Sequence, residues 1–290
     1  MLALLLVLGW VGMGPARAEA PPPLSVVASF SVLADIAARI GGVEVAATSL
    51  IGPGSEPHEW EPTPRDVRRL AEADLVVVNG LGLEGWLDRL VTASGYAGPV
   101  VVASRDVAAL HDASGAADPH AWHSLDNARL YAAAIAEGLT ALRPERAADF
   151  RANLAAFSGE LDALGGWAAA ETAAIPPAGR VVVTTHDAFA YLGRDYGIAI
   201  YAPVGLDSAA QPSARRMAEL VATIRETGVR AVFLENGGNS RLALTLAAET
   251  GVAVGGELYA GTLSRPDGPA ANYIAMWRHN LELMLAAMRP

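Results

Sequence analysis

"EPTPRDVRRLAEADLVVVNGLGLEGWL" occupies residues 61–87, and its reading decides the fold. Thr63-Pro64-Arg65-Asp66 is a helix start: a capping hydroxyl, a proline at the first helical position, where no N–H is needed, and an acid in the first turn. The helix so opened, over 64–72, runs into "DLVVVN" (74–79), a short continuous apolar run of the kind that forms a fully buried strand. The same order of proline, basic helix, apolar strand, Asn-Gly and helix returns in "AQPSARRMAELVATIRETGVRAVFLENGGNSRL", residues 210–242. Two such units in one chain predict two similar lobes, with a binding cleft between them.

Other runs extend the pattern. "SVVASF" (25–30), "VVVAS" (100–104), "RVVVTT" (180–185) and "VRAVFLE" (229–235) read as buried strands of parallel sheets, and an amphipathic helix over 31–40 ends at Gly41-Gly42. Strand–helix alternation of this kind predicts an α/β architecture. Between residues 144 and 174 the alternation stops. Phe150, Leu154, Phe157, Leu161 and Leu164 recur at helical spacing and predict one helix of about 30 residues, roughly 45 Å long. The expected organisation is an N-terminal lobe over 24–142, a linking helix over 143–175 and a C-terminal lobe over 176–290, with the binding site in the cleft between the lobes.

Composition narrows the function. Of 290 residues, 52% are hydrophobic and 18% charged, which suits a packed core. Residues 1–18, "MLALLLVLGWVGMGPARA", read as a cleaved signal peptide: an apolar run too short to span a membrane, then the A-x-A pattern Ala16-Arg17-Ala18. Its removal takes away Arg17 alone, so the net charge goes from −10 to −10 − 1 = −11. An acidic exported protein is unsuited to nucleic acid or anionic lipid. The chain has no cysteine, so disulfides and thiolate ligands are excluded and any metal must be held by His, Asp and Glu.

Six histidines are available. His58 lies in "GPGSEPHEWEPTP" (52–64), too rich in proline and glycine for helix or strand. His120 and His123 lie in "DPHAWHSLDN" (118–127), and His186 directly follows a buried strand, the position where open α/β sheets bind ligands. His111, in "LHDASGAAD", reads as solvated and His279 as an ordinary helix residue. Taken singly, each of the others reads as a capping or hydrogen-bonded histidine. Three on loops and strand ends of both lobes point instead to a shared metal.

The ordered set "GPGSEPHEWEPTP", "DPHAWHSLDN", "THDAFAYLGRDYGI", "FLENGGNSRLA" and "ELYAGTLSRPDGPAANYIAMWRHN" resembles the metal-binding solute-binding proteins of ABC transporters, across nearly the whole mature chain. The resemblance implies an exported, monomeric periplasmic receptor, not an enzyme, that hands metal to an inner-membrane ABC permease, with a periplasmic metallochaperone as a possible second partner. It also implies His58, His120 and His186 as ligands. In manganese members the third position tends to be a carboxylate, so His186 points to Zn²⁺ over Mn²⁺, as three neutral imidazoles do on chemical grounds. Glu235 at the end of "VFLE", and Asp187, are expected to orient the imidazoles from behind.

Two features depart from the family pattern. Its usual fourth ligand, an aspartate, falls at Gly261 in "LYAGTLS", which leaves three histidines with an open position or recruits another group, with Asp267, Glu59 or His123 as candidates. The histidine-rich stretch that zinc members often carry before the second ligand is reduced here to "HDASGAADPH" (111–120). Two other functions compete. A three-histidine site with an open position is also the pattern of a zinc hydrolase. Gly80-Leu81-Gly82-Leu83-Glu84-Gly85 after a strand, with Asp106 further on, matches a dinucleotide-binding oxidoreductase fingerprint.

Overall fold

The computed structural model describes residues 21–238 and 240–289; the signal-peptide reading of residues 1–18 lies outside them. Two parallel four-stranded sheets organise the chain. The first contains β1 (Leu24–Phe30), β2 (Val45–Ile51), β3 (Leu75–Val78) and β4 (Val100–Val102) in the order β2-β1-β3-β4. The second contains β5 (Val181–Val183), β6 (Ala199–Tyr201), β7 (Ala231–Glu235) and β8 (Ala253–Leu258) in the equivalent order β6-β5-β7-β8. The repeated segments thus contribute β3 and β7, the same third position of each sheet. In both, the chain leaves the first central strand for one edge and returns to the other side, which opens a crevice at the strands' carboxyl ends.

β2, β6 and β8 were not legible as apolar runs, and all three are edge strands. β2 reads Val-Ala-Ala-Thr-Ser-Leu-Ile with its middle partly exposed, so it lacks the unbroken apolar character of a strand covered on both faces. The predicted capping of the 64–72 helix is present in α2 (Pro64–Ala71): the Asp66 carboxylate accepts the Thr63 N–H at 3.0 Å. The long helix is α5 (Ala147–Ala173), 27 residues and therefore about 40 Å. It packs with α1 (Ser31–Gly41) of the first lobe and α9 (Tyr273–Met288), whose Trp277 and Tyr273 are fully buried in a core shared by both lobes. Among the described residues no helix is long and apolar enough to cross a membrane.

The glycine-rich turn after β3 has a structural occupant. Gly80 and Gly82 have φ of 84°, a left-handed conformation open to glycine. The Glu84 carboxylate turns back to accept the Asn79 N–H at 2.6 Å, the Gly80 N–H at 3.0 Å and the Ser29 hydroxyl at 2.7 Å. A dinucleotide would need such amides for its phosphates, and here a carboxylate of the same chain holds them. Glu84→Ala is expected to lower the unfolding free energy in urea by about 2 kcal/mol, because it strands inward-facing amides. An unchanged midpoint would mean that water serves them equally well.

Candidate metal centre

Asn79, at the end of β3, begins the scaffold of the site. Its amide donates to the Pro119 carbonyl at 2.9 Å, and its own side-chain oxygen accepts the Tyr131 hydroxyl at 2.6 Å. The Tyr191 hydroxyl, from the other lobe, donates to the Asp118 carbonyl at 2.9 Å. These bonds fix the backbone on both sides of Asp118-Pro119-His120. The Asp118 carboxylate then accepts both the His120 N–H at 2.9 Å and its ring Nδ1–H at 2.8 Å. With Nδ1 carrying the proton, Nε2 presents its lone pair.

His186 is built in the same way from the second lobe. It follows β5 and extends its pairing through a bridge to Val204, which sets it at the carboxyl edge of the sheet. Glu235 ends the neighbouring β7 and reaches across. One carboxylate oxygen accepts the N–H groups of Thr185 at 2.7 Å and His186 at 3.0 Å, and the other pairs with His186 Nδ1. His58 comes from the loop between β2 and α2, where the Glu56 carboxylate accepts its backbone N–H at 3.3 Å.

The three rings meet. His58 Nε2 lies 3.1 Å and His186 Nε2 3.3 Å from His120 Nε2, and ligand atoms of all three fall within 4.8 Å of one another. Two nitrogens bound to one tetrahedral metal at about 2.05 Å are separated by roughly 3.3 Å, so the spacing fits a cation at the centre. The charges agree. Burial first, and the neighbouring His186, lower His58 to about 4, and burial holds His120 well below the usual imidazole range. His186 behaves differently: burial pulls it down, but the Glu235 carboxylate outweighs this and raises it. Glu235 is held low by His186 despite its burial, and burial lifts Asp118 to about 6.

The other sequence candidates lie apart from this triad or at its edge. His123 is buried with Nε2 donating to the Ala260 carbonyl at 2.9 Å, and burial depresses it to about 3. Asp267 lines a separate cavity with Tyr259, Asn236 and Arg265. Glu59 lines a cavity of about 250 Å³ that reaches His186, together with Glu56. Asp187 is only partly buried, and its N–H donates to the Gly205 carbonyl at 3.2 Å; no hydrogen bond joins its carboxylate to the triad among the described residues. The carboxylate behind His120 is Asp118, which the sequence analysis did not single out; its position two residues before His120 in "DPHAWHSLDN" was the available signal. Glu56 and Asp207 also escaped notice. Burial raises the Glu56 carboxyl, and Asp207 shares an open groove with His58.

The chain matches the family described as zinc-uptake complex component A, periplasmic, over residues 26–287. It is 32% identical over 265 residues to the manganese-binding lipoprotein MntA of Halalkalibacterium halodurans, covering 91% of this chain and 88% of that protein. It is 32% identical over 254 residues to the iron-binding protein YfeA of Yersinia pestis, covering 87% and 82%. The solved structure of the periplasmic zinc-binding protein TroA from Treponema pallidum superimposes with a TM-score of 0.88 at 29% identity, covering 92% of this chain and all of that one.

Proposed function

The chain belongs to the family of periplasmic zinc-uptake complex component A, the metal-binding receptors of ABC importers, and from that premise we propose that its cargo is zinc. His58, His120 and His186 are the proposed ligands. The observation that carries this reading is the convergence of three imidazole Nε2 atoms at 3.1 and 3.3 Å, two of them backed by buried carboxylates. Three nitrogen donors favour Zn²⁺, whereas Mn²⁺ favours carboxylate, carbonyl and water oxygens. The relatives named for manganese and iron make this preference the point to test.

The proposed receptor acts in the periplasm, after loss of residues 1–18, and passes its cargo to a membrane permease. Glu56 and Asp207 face the triad from its rim and supply negative charge to an entering cation. Zinc and manganese would be titrated into the metal-free protein against a chromophoric chelator, at pH 7 and at pH 5. One equivalent of zinc bound more tightly than manganese, and weakening at the lower pH as protons compete for the imidazoles, is the expected result. Tighter binding of manganese would overturn the zinc assignment while leaving the receptor reading intact.

A further inference from the structure

We propose that Gly261 is a positioning residue for metal capture: its missing side chain is the seat into which Pro57 packs, and this contact sets His58 against the other two imidazoles. The proposal rests on the reading of His58 as a ligand. A Cβ built on Gly261 would lie 2.7 Å from both Cδ and Cγ of Pro57, closer than real carbon contacts allow. Pro57 is buried, immediately precedes His58, and its ring is a rigid body that no rotamer change can swing aside.

Which side of this contact would yield is decided by how each is held. The Gly261 side is fixed. The Ala260 carbonyl accepts the Trp122 Nε1–H and the His123 Nε2–H, both at 2.9 Å. Tyr259 is bound through its N–H and its carbonyl to the buried Asn280, and the Leu263 N–H donates to the Ser31 hydroxyl at 2.8 Å. The loop around Pro57 has fewer hydrogen bonds to the rest of the protein: the Thr262 hydroxyl donates to the Ser55 carbonyl at 3.3 Å, and the other holds are packing, of the loop on Gly237 and of Trp60 edge-on against Trp86 at 4.5 Å. Gly237 has a φ of +78°, and a Cβ there would stand 3.2 Å from Ser55 and 3.3 Å from Gly54. A side chain at Gly261 would therefore lift the loop and leave the wall where it is.

His58 Nε2 stands 3.1 Å from His120 Nε2, so a displacement of about an ångström takes it out of the shared coordination sphere. An aspartate at 261, where the family pattern places a ligand, would accordingly subtract His58 before it could add an oxygen. The seat makes the fourth position of this chain one that cannot be refilled by restoring that residue alone.

Gly261→Ala and Gly261→Asp would be titrated with zinc, each in the parent and in a His58→Ala background, with unfolding midpoints measured alongside. Each is expected to weaken zinc binding roughly 10–100-fold when His58 is present, the size of effect seen when a ligand loses its support, and to change little when His58 is absent. Equal losses in both backgrounds, or tighter zinc in Gly261→Asp, would overturn the proposal. Amide hydrogen exchange of residues 52–62 in the metal-free proteins reads the seat without any metal, and faster exchange in Gly261→Ala is expected. Unchanged exchange overturns the seat; a parent that binds no zinc overturns the zinc reading instead, and leaves the exchange result to decide the seat.

Discussion

Replacing His120 by Ala is expected to weaken zinc binding by about 10²- to 10³-fold, the largest single effect on capture. Structural zinc sites with four protein ligands are worth roughly 10–16 kcal/mol, about 2.5–4 kcal/mol per ligand, and each of the three proposed here should carry at least as much. His120 is the nitrogen on which the geometry centres, because its Nε2 faces those of both other histidines. The substitution also leaves a buried void and a second cost. Asp118 is 1% exposed and loses two donors' worth of order when the ring goes: its Nδ1 partner is deleted, and the turn that brings the His120 N–H is loosened. The buried Asp118 carboxylate is then left without its ring donor, so the variant is expected to lose stability as well. His123→Ala separates the two effects. His123 is as buried as His120, but it bonds to the Ala260 carbonyl and packs on Phe189, outside the triad. It is expected to lower the unfolding midpoint while costing much less affinity than His120→Ala. Competition titrations and thermal melts on both variants check this; equal losses of affinity would mean that the turn, not the His120 nitrogen, is what the metal needs.

The legibility of this molecule in its sequence follows burial. Central strands such as β1, β3, β5 and β7 are covered on both faces and announce themselves as valine-rich runs. The edge strands β2 and β8 carry mixed residues because one side of each meets solvent, and β6 has only three residues, so the folded sheet reveals them; β4, the other edge, is the exception, legible as three valines although two of them are exposed. Position alone pointed to a shared metal among histidines on loops and strand ends of both lobes, but the choice of His120 over His123 in "DPHAWHSLDN" came from the family resemblance, and the structure brings His58, His120 and His186 together. The carboxylates behind the rings were half legible. Glu235 stood out at the end of an apolar strand, whereas Asp118 resembled any Asp-Pro turn, and Asp187 was an equally plausible partner until the register of β5 and β7 set Glu235 across from His186. Contacts between residues two hundred positions apart, such as Pro57 with Gly261, leave no local trace. A glycine in "LYAGTLS" reads as the absence of a ligand, and only its neighbour in space shows that the absence is filled.

Glu235→Gln is the second large expected effect, and its signature is a change in pH dependence as well as in strength. The Glu235 carboxylate lies 3% exposed beneath His186 and accepts from the Thr185 and His186 amides while pairing with the ring. A glutamine of the same shape can still accept from the amides, but its NH₂ group then faces Nδ1 and favours the tautomer with the proton on Nε2, the nitrogen a metal needs. Zinc affinity at high pH is expected to fall roughly 10–100-fold, as when the group behind a ligating histidine is lost. The pH profile should move as well. In the parent, Glu235 raises His186 above the usual imidazole range against the pull of burial, whereas His58 is lowered to about 4 and His120 falls well below that range. As pH drops, the first proton to compete with metal therefore goes to His186, and capture begins to fail above the pH at which a free imidazole would titrate. Removing the carboxylate leaves burial alone acting on His186, which lowers its proton affinity. The normalised binding curve should then shift to lower pH even as its plateau weakens. A merely structural role for Glu235 predicts the weaker plateau with an unmoved midpoint, so chelator competition repeated across pH in parent and variant distinguishes a carboxylate that tunes the third imidazole from one that only ties two strands together.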